Sequence, residues 1–343
     1  MNILITGAAG FIGSQLSHKL FLDGHKIFLL DNFSYGKEDN LIFPDKDFRP
    51  DVLKEDIRNK KYIEKLIEEK DIEVIFHIAG IAPLPDCQSR PEESIDVNVI
   101  GTVTLLEAAR KKGVKKIIFA STTALYENEN EFPSDEGDFP LPTLIYPNTK
   151  YAAERFCQSY CDTYGLSITA LRFANVYGPH IDCLRKQPPF VGYMIRELYY
   201  DRVPIFYSNG NQSRDYIYID DLIDLALLVM KNTTPGFEAV NVSSNQSYSV
   251  IDMFAITSKI MSKNITPQFI DPEQYWSKYP ELYSGALPIK QKILYDEVNK
   301  KTLCDNGFAK KHYAWKPKID ITEGLKRSVA YVEETLQKMD LKK

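Results

Sequence analysis

Asn2-Ile3-Leu4-Ile5-Thr6-Gly7-Ala8-Ala9-Gly10-Phe11-Ile12-Gly13 decides the fold, because it runs from a short apolar segment through a glycine turn into an amphipathic run, Ser14 to Leu22. The order is strand, turn, helix. Glycines let the backbone turn tightly and approach a pyrophosphate, whose charge the free N–H groups and dipole of a helix N-terminus stabilise. Gly7, Gly10, Phe11, Ile12 and Gly13 are therefore candidate dinucleotide contacts. A second apolar run, Lys26 to Leu30, ends in Asp31. A carboxylate at that distance from the glycines accepts hydrogen bonds from an adenosine ribose and repels a 2′-phosphate, which favours NAD over NADP.

Outward from this unit the alternation continues. A weaker strand is expected around Phe48 to Leu53, where Pro50 argues against a central position. Glu73 to His77 and Lys116 to Ala120 are almost continuously apolar, and a helix from about Glu92 to Lys112 separates them. Strands that read this way are buried on both faces, as in a parallel sheet covered by helices. The fold class is α/β, with a Rossmann-type doubly wound parallel sheet and a smaller C-terminal substrate lobe.

Bulk properties narrow the function. The 343 residues are 44% hydrophobic and 26% charged, with a net charge of −5, which argues against a binder of nucleic-acid backbone. No apolar run approaches the roughly 20 residues of a membrane span, and the N-terminus carries no basic leader. A cytoplasmic protein with neither nucleic-acid nor membrane partners is expected. The five cysteines form no CxxC pair and the five histidines no cluster, so no metal site is expected. Cys157 and Cys161 read as packing residues, and His77 as a hydrogen-bonded core residue.

Tyr146 and Lys150 lie four residues apart, on one face of a helix that Pro147 suggests begins just there. A free phenol has a pKa of about 10, and a neighbouring ammonium favours its ionised form. Spacing alone also fits a solvated surface pair.

Taken together, these motifs resemble the extended short-chain dehydrogenase/reductase family, in particular its NAD-dependent nucleotide-sugar epimerases and dehydratases. The resemblance rests on Gly7-x-x-Gly10-x-x-Gly13, Asp31-Asn32, Asp56-Ile57-Arg58, His77-Ile78-Ala79-Gly80, Asn98-x-x-Gly101-Thr102, Ser121-Thr122, Tyr146-x-x-x-Lys150, Arg172-Phe173-x-Asn175-Val176-Tyr177-Gly178-Pro179 and Arg214-Asp215-Tyr216 to Asp221. It implies that Tyr146 exchanges a proton with a sugar hydroxyl, that Lys150 binds the nicotinamide ribose and lowers the phenol pKa, and that Thr122 holds the same sugar oxygen. Asp31, Asn32, Asp56, Ile57, Ala79, Gly80 and Asn98 join the glycines, Tyr146 and Lys150 as expected cofactor contacts, with NAD tightly bound.

The residues after Thr122 separate the chemistries. Dehydratases resemble Thr-Asp-Glu at this place, whereas this chain has Thr122-Thr123-Ala124 and lacks those acids. Glu127 is a possible substitute, standing where the family usually has Gly. His180 resembles an acid of the 3,5-epimerases, but their Cys partner would fall at Ala124, and His180 reads as a pocket-wall residue. Hydride transfer with one proton shuttle remains, which fits C4 epimerisation through a transient 4-keto sugar. A 4,6-dehydratase and a C4 dehydrogenase or reductase are the alternatives; a non-catalytic NAD-sensing module is the alternative from another class, against which the retained Thr122, Tyr146 and Lys150 argue.

For the substrate, Asn175 and Arg214 are candidates for the nucleotide diphosphate, Arg185 adds positive charge, and Ala82, Pro83 and Thr123 line the hexose floor. Tyr193 and Phe206 are read either as base-stacking or as core. Residues 1–178 are expected to form the NAD-binding domain, with segments near 215–245 returning to it, and 179–343 mainly the nucleotide-sugar lobe. The irregular segment 264–292 is expected to shape specificity. The resemblance also implies a homodimer through helices 92–112 and 147–164, with Leu105, Ala109, Tyr160 and Tyr164 as contributors.

Overall fold

The computed structural model describes residues 1–127 and 131–341. Its strands are β1 (Asn2–Thr6), β2 (Lys26–Asp31), β3 (Val52–Lys54), β4 (Val74–His77), β5 (Lys116–Thr122), β6 (Ser167–Phe173), β7 (Asn175–Tyr177), β8 (Ile205–Tyr207), β9 (Ser213–Tyr218), β10 (Gly236–Val242), β11 (Ser247–Ser249) and β12 (Gln268–Ile270). The helices are α1 (Phe11–Leu22), α2 (Lys60–Glu69), α3 (Leu84–Ser89), α4 (Pro91–Ile95), α5 (Gly101–Lys112), α6 (Ile145–Tyr164), α7 (Phe190–Tyr199), α8 (Ile219–Met230), α9 (Val250–Ile260), α10 (Gln291–Asn299), α11 (Gly307–Tyr313) and α12 (Ile321–Asp340).

Seven strands, in the order β10-β6-β5-β4-β1-β2-β3, make one sheet in which every pairing is parallel. Successive side chains of a strand point to opposite faces, so Ile3 and Ile5 of β1 join one core cluster and Leu4 joins the other. The first cluster holds Leu16 of α1 and Leu222 of α8; the second holds Ile63 of α2, Leu105 of α5 and Ala153 of α6. Helices thus cover both faces. Strand order reverses between β1 and β4, and ligands of such sheets lie in the crevice at that reversal.

Several boundaries depart from the sequence expectation. Arg49-Pro50-Asp51 is a 3-10 turn and β3 starts only at Val52, because proline has no N–H to give a ladder. The expected helix 92–112 is α4, one π turn at Asp96–Ile100, and α5. α6 begins at Ile145; Pro147 fits its third position, where the N–H has no partner within the helix. Of residues 215–245, β10 enters the main sheet and α8 packs on its face, whereas β9 pairs with β7 and β11 in a separate three-stranded sheet. Segment 264–292 pairs β12 with β8 and then buries Trp276 and Tyr279 against Leu144 and Leu294 in a third cluster.

Leu105 and Ala109, expected at a dimer face, are fully buried within the chain. The apolar residues exposed on that side are Ile95, Ile100, Phe156 and Tyr164. Among the described residues no helix is long and apolar enough to cross a membrane, and no group of three His, Cys, Asp or Glu side chains is placed to hold a metal.

Candidate active site

The glycine turn is closed by backbone contacts that leave no room for side chains. Gly7 has φ of +72°, and a Cβ there would lie 2.7 Å from Ala79 N; one on Gly13 would lie 2.1 Å from the Gly7 carbonyl oxygen. Gly10 caps α1 without a side-chain acceptor, so the N–H groups of Phe11 and Ile12 face the crevice end of the helix free for an anion. Asp31 ties β2 to this turn. Its Oδ2 accepts from Ala9 N (2.9 Å) and its Oδ1 from Phe33 N (2.7 Å). Burial raises its carboxyl, and these two N–H groups oppose the rise. Beside it Asn32 donates to Asp56 (2.8 Å), which the forked Arg58 guanidinium holds down at about 2. Ile57 is buried in the second core cluster. A cradle built of glycine backbone, a bare helix start and a ribose carboxylate fits a dinucleotide.

His77 fixes the next loop. Thr102 Oγ1 donates to Asn98 O (2.7 Å), so it must accept from His77 Nε2 (3.0 Å); His77 Nδ1 then accepts from Thr6 Oγ1 (2.9 Å). Ala79 N donates to Thr6 Oγ1 (3.3 Å) and completes the chain. Burial lowers the imidazole to about 3, which keeps it neutral and this tautomer in place. Asn98, in the π turn, accepts from Ile81 N (2.8 Å) and donates to Ile81 O (2.9 Å) and Thr149 Oγ1 (3.0 Å). Both of its amide hydrogens are thus taken up by the protein, while Oδ1 keeps a second lone pair. Asn98 joins the Gly80 loop to the α6 turn that carries Lys150.

Thr122 ends β5, and Tyr146 and Lys150 project from the first turns of α6. Thr122 acts on the Tyr146 hydroxyl and favours its ionised form. Lys150 Nζ donates to Ala120 O (2.8 Å) and lies 4.9 Å from the Phe119 ring centroid. Burial lowers Lys150 to about 8. Burial also raises the Tyr146 phenol, against the effect of Thr122. Among the described residues no carboxylate shifts the Tyr146 phenol. Cys87 acts on both members of the pair; it is fully buried, its thiol is pushed up to about 11, and it donates to Ile81 O (3.3 Å).

The substrate-side candidates separate. Ala82 and Asn175 are exposed, and Asn175 Nδ2 donates to Asp215 O (3.1 Å). Arg185 Nε donates to Gln187 O (2.7 Å), while its two Nη groups have no protein acceptor among the described residues. Arg214 behaves otherwise. Its Nη groups cap the end of α10 by donating to the carbonyls of Glu297 (2.8 Å) and Lys300. Thr123 turns inward and donates to Phe173 O (3.2 Å), so its hydroxyl does not line the hexose floor. His180 is a buried packing residue, not pocket wall: Nδ1 meets Ser14 Oγ at 3.0 Å and the ring lies between Phe43 and Tyr331. Phe206 is core, and the Tyr193 hydroxyl accepts from Ile205 N. Glu127 turns away from Tyr146 to accept from Thr143 N and Leu144 N.

Sequence reasoning missed a network across the cleft. Asp86 of α3 accepts from Tyr35 (2.6 Å), in the loop after β2, and from Tyr279 of the irregular segment. Lys186 lies 3.9 Å from the Tyr279 ring centroid, and Lys37 pairs with Asp182. The only sequence signal was the crowd of aromatics in 264–292.

Against known proteins, the profile of the NAD dependent epimerase/dehydratase family matches residues 3–243. A putative UDP-glucose 4-epimerase of Methanocaldococcus jannaschii is 31% identical over 334 residues, covering 96% of this chain and 98% of that protein. The dTDP-D-glucose 4,6-dehydratase of Mus musculus is 28% identical over 337 residues, covering 96% and 88%. The crystal structure of UDP-glucose 4-epimerase from Thermotoga maritima with UDP-glucose superposes with a TM-score of 0.86 at 30% identity, covering 98% of this chain and all of that one.

Proposed function

This chain belongs to the NAD dependent epimerase/dehydratase family, and on that premise we propose that it is a nucleotide-sugar 4-epimerase that retains NAD through each turnover. NAD, held by the glycine turn and Asp31, would supply the hydride acceptor and donor for C4 of the sugar. Tyr146 takes the proton of the 4-hydroxyl and returns it, so one phenol serves both half-reactions. Thr122 hydrogen-bonds the same oxygen and stabilises charge as the carbonyl forms. Lys150 keeps two N–H groups without a protein acceptor among the described residues, available to a ribose hydroxyl.

The observation that carries epimerisation over dehydration is that, among the described residues, Thr122 and Cys87 are the side chains that shift the Tyr146 phenol, and neither is a carboxylate. Elimination of water needs a second acid and base, and Glu127, the substitute considered from the sequence, is engaged with Thr143 and Leu144. For the diphosphate we favour Arg185 over Arg214, because its Nη groups are uncommitted, with Asn175 as an amide donor. Residues 1–178 together with 236–242 form the NAD lobe in this reading, and most of 179–343 the nucleotide-sugar lobe. A homodimer would cover Ile95, Ile100, Phe156 and Tyr164; a monomeric mass in light scattering at micromolar concentration would remove that part.

The test is incubation with UDP-, GDP-, dTDP- and CDP-sugars, UDP-hexoses first, followed by proton NMR. A C4 epimer is expected. A 4-keto-6-deoxy product would overturn the reading. Tyr146→Phe should lose turnover by about 10³-fold while still binding NAD, and unchanged turnover would remove Tyr146 from the chemistry.

A further inference from the structure

α6 carries both Tyr146 and Lys150, yet Leu144 at its N-cap has no side chain that can accept from the free N–H groups of the first turn. Two side chains from elsewhere do so. Glu127 Oε1 accepts from Thr143 N (2.8 Å) and Leu144 N (3.2 Å), and Gln88 Oε1 accepts from Ile145 N (3.3 Å). The Glu127 carboxylate also carries its charge to the positive end of the helix.

Glu127 directly follows the 3-10 turn Thr123–Tyr126, which Thr122 begins and which the Thr122 hydroxyl holds by accepting from Ala124 N (3.1 Å). One carboxylate therefore ties the chain just after Thr122 to the chain just before Tyr146. Its second oxygen, Oε2, is buried without a partner among the described residues, beside a cavity of about 40 Å³ lined by Ile293, Asp296, Glu297 and Lys300. The tether thus works through Oε1 alone. Gly at this position would supply no such bond.

We propose that Glu127 is a positioning residue that sets the separation of Thr122 and Tyr146 by anchoring the start of α6. The proposal rests on the reading that these two hydroxyls share one substrate oxygen. Small misplacements of reacting groups are costly, on the order of a hundredfold for 1 Å. Glu127→Ala should therefore lower kcat by roughly ten- to a hundredfold while KM moves by less than about threefold. Glu127→Gln keeps an acceptor at Oε1 and should restore most of kcat.

The experiment compares the wild type with both variants by steady-state kinetics, and by carbon NMR of protein labelled at tyrosine Cζ, with the Tyr146 signal assigned through Tyr146→Phe. Expected is a Tyr146 signal displaced in Glu127→Ala and restored in Glu127→Gln, in step with kcat. An undisplaced signal, or an unchanged kcat in Glu127→Ala, overturns the proposal. Equal loss of kcat in both variants also overturns it, since the charge and not the acceptor would then matter. If the wild type turns over no nucleotide sugar, the epimerase reading fails, while the NMR comparison still decides whether Glu127 sets the Thr122–Tyr146 contact.

Discussion

Gly13→Ala puts one methyl group where the fold has no room, and its consequence can be worked from the turn itself. The added Cβ would lie 2.1 Å from Gly7 O and 2.8 Å from Gly7 C, both backbone atoms, when real Cβ contacts essentially never fall under 3.0 Å. Relief therefore requires a backbone shift of about 0.9 Å at Gly7. Gly7 is poorly able to give it. Its N–H donates to Leu30 O (2.9 Å), its carbonyl accepts from Gly10 N (3.1 Å), and its far side abuts Ala79. Overpacking of this kind costs about 3 kcal/mol. Where the shift displaces the N–H groups meant for the pyrophosphate, NAD affinity should fall on the order of a hundredfold. Calorimetric titration of NAD into the purified variant measures this, with thermal unfolding of the same sample reporting the strain left in the fold. Wild-type affinity together with wild-type Tm would refute the close-approach argument, because the turn would then have absorbed the methyl at no cost.

Three further outcomes follow from the geometry. Thr122→Val removes a hydroxyl at nearly constant volume and should lower kcat about a hundredfold with NAD binding unchanged; equal kcat would take Thr122 out of the reaction. The buried Arg172–Glu154 pair, at 2.8 and 3.1 Å behind β5, should cost about 3–5 kcal/mol when Glu154→Leu strands the guanidinium. Urea unfolding should show the double variant Glu154→Leu/Arg172→Met to be less damaged than that single variant. Lys116 is buried among Ser167 and Thr169, and burial lowers it from 10.5 to about 8. Between those values the unfolded chain binds the extra proton, so stability relative to Lys116→Met should rise with pH from about 8 to about 10.5 and be flat below 8. A difference that falls across that window would reverse the sign.

The sheet was legible because its signals are local. Apolar runs, the glycine turn and Asp31 each act within a few residues, and the structure put β1, β2, β4 and β5 where those runs lie. Thr122, Tyr146 and Lys150 were legible as a set only through the order of motifs, since nothing in a four-residue spacing says that Thr122 stands opposite. What stayed hidden depends on partners distant in sequence. The bonds of Arg214 to the end of α10 appear only once the fold places that helix beside it. Thr123 looks like a cleft residue until Phe173 O claims its hydroxyl. Asp86 carries no signature at all, because Tyr35 and Tyr279, which give it meaning, lie on opposite sides of it in the chain.

The place of β10 has a consequence for the nascent chain. β6 ends at Phe173, and the strand that covers its outer edge begins only at Gly236. As the protein leaves the ribosome, all seven residues of β6 wait with one row of backbone groups unsatisfied while β7 to β9 and α7 and α8 are made. An unpaired apolar edge is a template for another chain, and pairing across such a separation is slow. The last strand thus acts as a lock set late in synthesis. A fragment ending at Gly178 carries every member of the proton-and-hydride set and yet leaves that edge raw, so the catalytic machinery becomes safe from its neighbours only once the substrate lobe has been made.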